Sequence, residues 1–253
     1  MEAAIAPNAS RVPGRRRKSI GSPFYTGVGA IMLVLAVAGF WPQYYTVLAG
    51  GAMAATSRHW LIHIHSAMFL GWLLMFILQA ALLWRGRLDV HRRLGPWMAG
   101  YGFLAVALGV VAGIALAARF GRMNGGLDAA ANFVAFPLID MLFLGGFLTL
   151  AVVYRYRREL HKRAMFVATF SIAVVGIGRL VARFVPLDLP WLWQPAILSP
   201  LLLALIYDGI AHRRLHLVIA TGLAVHAFRL NMEGLTGTEA WLSVGRVLVG
   251  PFW

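Results

Sequence analysis

Cysteine is absent from all 253 residues. That excludes disulfides, thiolate metal sites, iron–sulfur clusters and a thiol nucleophile. It leaves the redox compartment undetermined. Acidic residues are scarce, 9 against 23 Lys plus Arg, and charged residues make up only 13% of the chain. A soluble domain is nearer a quarter charged. Also missing are GxGxxG, the P-loop, the GxSxG nucleophile elbow and HExxH. No paired carboxylates suggest a glycosidase, and no catalytic residue is assigned.

What the chain has instead is apolar surface: 60% hydrophobic residues and a mean hydropathy of +0.73. Seven apolar segments run at 24–48, 61–84, 97–118, 131–153, 164–184, 195–211 and 215–232. A helix rises ~1.5 Å per residue, so ~20 residues cross a ~30 Å hydrocarbon core. The first five segments meet that length. The sixth is short and holds Pro195 and Pro200, and the seventh is interrupted by His226 and Arg229. A re-entrant pair is the alternative for those two. The expected fold is an all-α polytopic transmembrane helical bundle of about seven helices. Residues 1–22 read as a disordered basic arm, 23–232 as the transmembrane domain and 233–253 as a short outer tail.

A net charge of +14 could suit nucleic acid. Here the basic residues lie in short clusters between apolar runs, which is the pattern of membrane topology. The expected partner is therefore the lipid bilayer and not nucleic acid. With the amino terminus in the cytoplasm, 16 of the 23 basic residues fall inside, in the arm and in clusters at 85–93, 155–163 and 213–214. This bias predicts a multi-pass membrane protein, N-inside and C-outside. RRRK, GVGAIMLVLAVAGF and AMA at 52–54 loosely resemble a secretory signal. The 13 residues between Phe40 and Ala54 are long for a cleavage region, so an uncleaved first helix is expected.

In the second segment His65, Met68, Trp72, Phe76 and Gln79 share one helical stripe, expected to face inward. Two readings stay open. His65 and Gln79 hydrogen-bond to neighbouring helices, or His63 or His65 ligates a metal or haem. His59, His63 and His65 also suggest a divalent-metal site, but His65 points ~160° away from His63, so the three cannot converge on one regular helix. Asp140 and Arg179, on consecutive antiparallel segments, are expected to pair, either as a functional site or as a structural link. With His65, His226, Arg229, Trp72 and Gln79 they would line a polar chamber in the outer half, holding a ligand, a haem or only water.

On the inner face stand His91, His161, His212 and His216, with Asp89, Glu159 and Asp208 two to four residues before the first three. They serve either proton uptake or a solvated network with phosphate headgroups. LDVHRRLGPWM and RELHKRAMF share acid–x–His–basic–basic, read as two solutions to one inner-loop problem rather than a duplication. Gly125-Gly126 predicts a turn, and Gly145-Gly146 a close-packing point.

The outline HxH…Gly-Trp…Gln…GRxxxHRRLG, then HKR-x-M, then D-x3-HRRLH resembles a widespread family of uncharacterised bacterial polytopic inner-membrane proteins. The likeness spans about residues 24–242 and rests on His63, His65, Trp72, Gln79, Arg87, His91, Arg92, Gly95, His161, Lys162, Arg163, Met165, Arg179, Asp208, Arg214 and His216. It implies a fold type and no activity. A fainter likeness is to cytochrome b561 and ferric-reductase-like proteins, which hold haem b between paired histidines. No segment here has two well-separated intramembrane histidines, so that likeness implies at most a single haem b, between His63 or His65 and His226.

Two functions follow as expectations. One is a membrane redox or cofactor-binding protein with His65 and His226 as ligands, Asp140 and Arg179 tuning the site, and Trp72 and Gln79 lining it. The other is a non-enzymatic carrier, or an accessory subunit with a membrane-protein partner or a second copy of the chain.

Overall fold

The computed structural model describes residues 21–46, 60–186 and 188–253. The RRRK run, the AMA run and His59 lie outside the described residues. Among the described residues there is no strand. The elements are α1 (Gly21–Phe40), extended by a π turn (Trp41–Tyr45), α2 (Trp60–Trp84), α3 (Leu88–Asn124), α4 (Gly126–Val153), α5 (Arg158–Phe184), α6 (Pro190–His212), α7 (Leu217–Leu230), α8 (Glu233–Thr236) and α9 (Glu239–Val249), closed by a 3-10 turn (Gly250–Phe252).

Helices α1 to α6 are long and apolar enough to cross a membrane, so the chain is an all-α polytopic bundle. The expected seventh span differs. Helix α7 has only 14 residues, ~21 Å, and stops at Asn231. Helix α6 runs unbroken through Pro195 and Pro200, with Pro190 in its first turn. Because the helices alternate in direction, the basic clusters at 85–93, 155–163 and 213–214 gather at one end, here called the arginine-rich end.

Helix α5 is the hub. Of its most apolar stretch 67% is buried, against 22–39% for the other five spans, and it packs on α1, α2, α4, α6 and α7. Small residues let its neighbours come close. A Cβ on Gly176 would sit 2.6 Å from the Ala36 Cα of α1, and one on Gly222 of α7 would sit 2.7 Å from the Val167 side chain. Arg183 then donates to the Ala38 and Gly39 carbonyls at the end of α1.

Helices α3 and α4 form a long hairpin with a small-residue seam on α3 at Gly102, Ala105, Gly109, Ala112 and Gly113. A Cβ on Gly113 would lie 2.8 Å from the Pro137 ring. The expected turn is present: Gly125 and Gly126 take φ of +129° and +86°. Gly145-Gly146 is not a close-packing point, since Gly145 meets only Val106 at 3.5 Å and Gly146 meets nothing within 4 Å.

Residues 233–253 are helical and docked. Helix α9 packs on α4 over a cluster of Ala117, Ala118, Ala130, Ala131, Val134 and Val249. Trp241 Nε1 donates to the Ala131 carbonyl at 2.8 Å, and Arg246 pairs with Asp128 at 2.6 Å.

Candidate functional site

Polar side chains meet in two separate centres. The first lies at mid-depth. Asp140 is 14 residues from the start of α4, Ser171 13 from the start of α5, and Arg229 12 from the start of α7. At helix rise these are ~18–21 Å from the starts of their helices. Asp140 is buried, and Arg229 grips it with both arms: Nε to Oδ1 at 2.9 Å and a terminal nitrogen to Oδ2 at 2.8 Å. The guanidinium also lies 5.3 Å from the Phe136 ring centroid. One turn back on α7, His226 is fully buried between Phe143 and Phe170. Its Nδ1 is 2.8 Å from the Gly222 carbonyl oxygen, and its Nε2 is 3.1 Å from Ser171 Oγ. A carbonyl only accepts, so Nδ1 carries a hydrogen. Between the start of α6 and the end of α7, a cavity of ~460 Å³ is lined by Pro190, Trp193, Gln194, Leu230, Asn231 and Glu233, and not by Asp140, His226, Ser171 or Arg229.

Arg179 is not the partner of Asp140. It sits on the surface of α5 with its guanidinium 5.1 Å from the Phe40 ring centroid. Nor does the structure assemble the expected chamber around His65. By helix rise His65 is ~28 Å from the arginine-rich end and His226 ~14 Å, and the ring beside His65 is Phe69, at 4.1 Å. His63 Nδ1 is 3.1 Å from Tyr44 Oη. Both ring nitrogens of His226 are engaged, so neither is free for an iron. The residues do not fit a bis-histidine haem, and no step is derived through one. The inward stripe is present in Trp72, Phe76 and Gln79, which are buried, with Trp72 Nε1 donating to Thr169 Oγ1 at 3.2 Å.

The second centre is at the arginine-rich end. Arg163 is buried at the start of α5 and forms a two-armed pair with buried Asp208 of α6, at 2.7 and 2.5 Å. Its remaining arm reaches Glu159, which also pairs with Lys162 at 2.7 Å. His212 approaches Asp208 at 3.8 Å, and His216 caps α7 by accepting from the Val218 amide. Tyr25 and Tyr207 pack around this pair, each with a buried hydroxyl that has no partner. On the α2–α3 side, the His91 and His161 rings stand 6.3 Å apart at 82°. Among the described residues, buried side-chain atoms without a hydrogen-bond partner gather here: Tyr25 Oη, Tyr207 Oη, Gln79 Oε1 and His91 Nδ1, with His65 Nδ1 elsewhere.

Sequence reasoning counted Arg163 among the topology arginines and did not mark Ser171, Tyr25 or Tyr207. Arg163 was legible in one respect: it continues the buried helical face of Val167, Phe170 and Val174 at three- and four-residue spacing. Among the described residues no group of three or more His, Cys, Asp and Glu gathers as a metal cluster. Comparison with protein-family models, curated proteins and solved structures finds no match.

Proposed function

We propose that the protein is a proton-linked carrier of the bacterial inner membrane, amino terminus inside, with Asp140, Arg229, His226 and Ser171 as its working site. The observation that supports this reading is an ion pair and a histidine at mid-depth, with buried Asp140 on α4 and Arg229 and buried His226 on α7, a short helix that stops there. Carriers bind substrate near the bilayer midplane, beside interrupted helices. Ionisable residues at that depth are costly, and they mark ion and substrate pathways.

The chemistry is an exchange of partners. A proton taken by Asp140 frees Arg229, whose planar fork then accepts one carboxylate of a small dicarboxylate. For a dicarboxylate charge is conserved when two protons enter, one on Asp140 and one on His226 Nε2, against the two charges of the anion that Arg229 grips. His226 adds a second proton position. Ser171 Oγ also lies 3.1 Å from the Val167 carbonyl and has one hydrogen to give. A proton on His226 Nε2 lets that ring donate to Ser171 while Ser171 donates to Val167. The HxH…HRRLG…HKRxM pattern supports placing the chain with bacterial inner-membrane proteins and adds no substrate.

The test is proteoliposomes loaded with a pH-sensitive dye and given external dicarboxylates that do not cross lipid unaided. The wild type acidifies the interior, while Arg229→Met and Asp140→Asn do not. Wild-type traces equal to empty liposomes, or unaltered by Arg229→Met, would contradict the reading.

A further inference from the structure

We infer that Gln79, His91 and His161 form a site for a divalent transition-metal ion of the zinc type at the arginine-rich end, independent of the carrier centre. The residues come from α2, α3 and α5, which converge there. His161 holds its Nδ1 2.9 Å from the Ala151 carbonyl oxygen. That nitrogen must carry the hydrogen, so in the neutral ring Nε2 keeps a lone pair. Ligating histidines are oriented in this way, one nitrogen on a backbone carbonyl and the other on the metal.

His91 is turned toward the Gln79 backbone, and its Nδ1 is buried with no partner. Gln79 is 7% exposed, and its Oε1 has no partner either. The His91 and His161 rings thus stand 6.3 Å apart, Gln79, whose backbone faces His91, carries a buried amide oxygen, and no proton donor serves Gln79 Oε1 or His91 Nδ1. Buried acceptors are ordinarily satisfied, so such a group calls for a cation. Imidazole nitrogen with oxygen suits zinc and its neighbours.

The spacing is close to what one ion needs. With metal–nitrogen bonds of ~2 Å, two imidazoles on a tetrahedral ion have ring centroids about 5 Å apart. The observed 6.3 Å requires the rings to close by about 1 Å. The charges nearby do not close the site. Lys162 is paired with Glu159, and Arg87 with Asp89. Arg92 is the cation whose charge reaches His91. Two imidazoles and one amide leave coordination positions for water or an anion.

The experiment uses the full chain, purified in detergent and stripped with chelator. Zn²⁺ is titrated calorimetrically, and Co²⁺ is followed by its visible absorption. Expected are one saturable equivalent of Zn²⁺ and Co²⁺ bands of a nitrogen–oxygen site. His91→Ala and His161→Ala should each weaken binding tenfold or more, and His63→Ala with His65→Ala should leave it unchanged. Helicity and gel-filtration profile report the fold of each variant. Gln79→Glu, which offers a carboxylate oxygen at the same place, should tighten binding. No saturable binding by the wild type, or binding unaffected by His91→Ala and His161→Ala, would overturn the site. Unchanged affinity in Gln79→Glu would remove Gln79 from it.

Discussion

Asp140 brings a carboxylate into the middle of an apolar bundle, and Arg229 is the group that neutralises it. Removing one partner leaves the other buried and uncompensated, at a cost of about 3–5 kcal/mol, whereas removing both can be nearly neutral. Arg229→Met should therefore lower unfolding stability in detergent by about that amount. Asp140→Leu added to it should recover most of the loss. If the double variant is no more stable than Arg229→Met, the pair is not the link the geometry describes. The need for a cation beside Asp140 was legible in the sequence, but which cation was not. Helix α4 begins at Gly126, five residues before its apolar segment, which sets Asp140 ~7 Å deeper than apolarity alone implies. Arg179 is then ~13 Å away in depth, and the partner comes from the non-consecutive α7.

His216 gives a pH dependence at the same scale. Burial, and after it the Arg163 charge, hold its pKa below the ordinary histidine value. The folded state prefers the neutral ring, whose Nδ1 accepts from the Val218 amide. Protonation removes that acceptor, so this contribution is complete above the unfolded value of ~6.5 and is lost as pH falls below it. An N-cap is worth ~1 kcal/mol. His216→Asn, an uncharged cap, should make thermal stability flatter between pH 7 and pH 5. An unchanged slope would show that other groups set it.

Helices α1 to α5 could be read from the chain because length and apolarity decide a span, whereas Pro195 and Pro200 left α6 open until the structure showed one helix running through both. What α7 does could not be read, because its stop is set by packing. Gly222 lies against Val167 and so holds His226 at Ser171. Gly222→Val should cost about 1–3 kcal/mol by overpacking and, in the same variant, abolish dicarboxylate-driven acidification. Wild-type stability in Gly222→Val would mean that α7 can move away from α5 freely. The docking of α9 was equally hidden. Its apolar side is short, and it acquires a partner only once the α3–α4 hairpin presents its alanine cluster. Gly145-Gly146 misled for the opposite reason: small residues permit close approach, but a neighbouring helix has to be there.

Across the whole molecule, charge asymmetry is the feature that sequence conveys best, since the basic clusters gather at one end whatever the details of packing. With the amino terminus inside, a cysteine placed at exposed Tyr156 should be shielded from a membrane-impermeant thiol reagent in intact cells. One at exposed Val244 should be labelled. The opposite pattern would invert the topology. The absence of native cysteine makes each probe the sole thiol.

That same absence allows the most direct test of a carrier. Ser171 is buried beside His226 at mid-depth, and Ser171→Cys changes one atom there. A carrier must open this position to each side in turn. The Ser171→Cys thiol should therefore react with an impermeant reagent in both right-side-out and inside-out vesicles, and more slowly when Arg229→Met prevents the exchange of partners. Reaction from neither side would make Asp140, Arg229 and His226 a closed structural core and contradict the carrier.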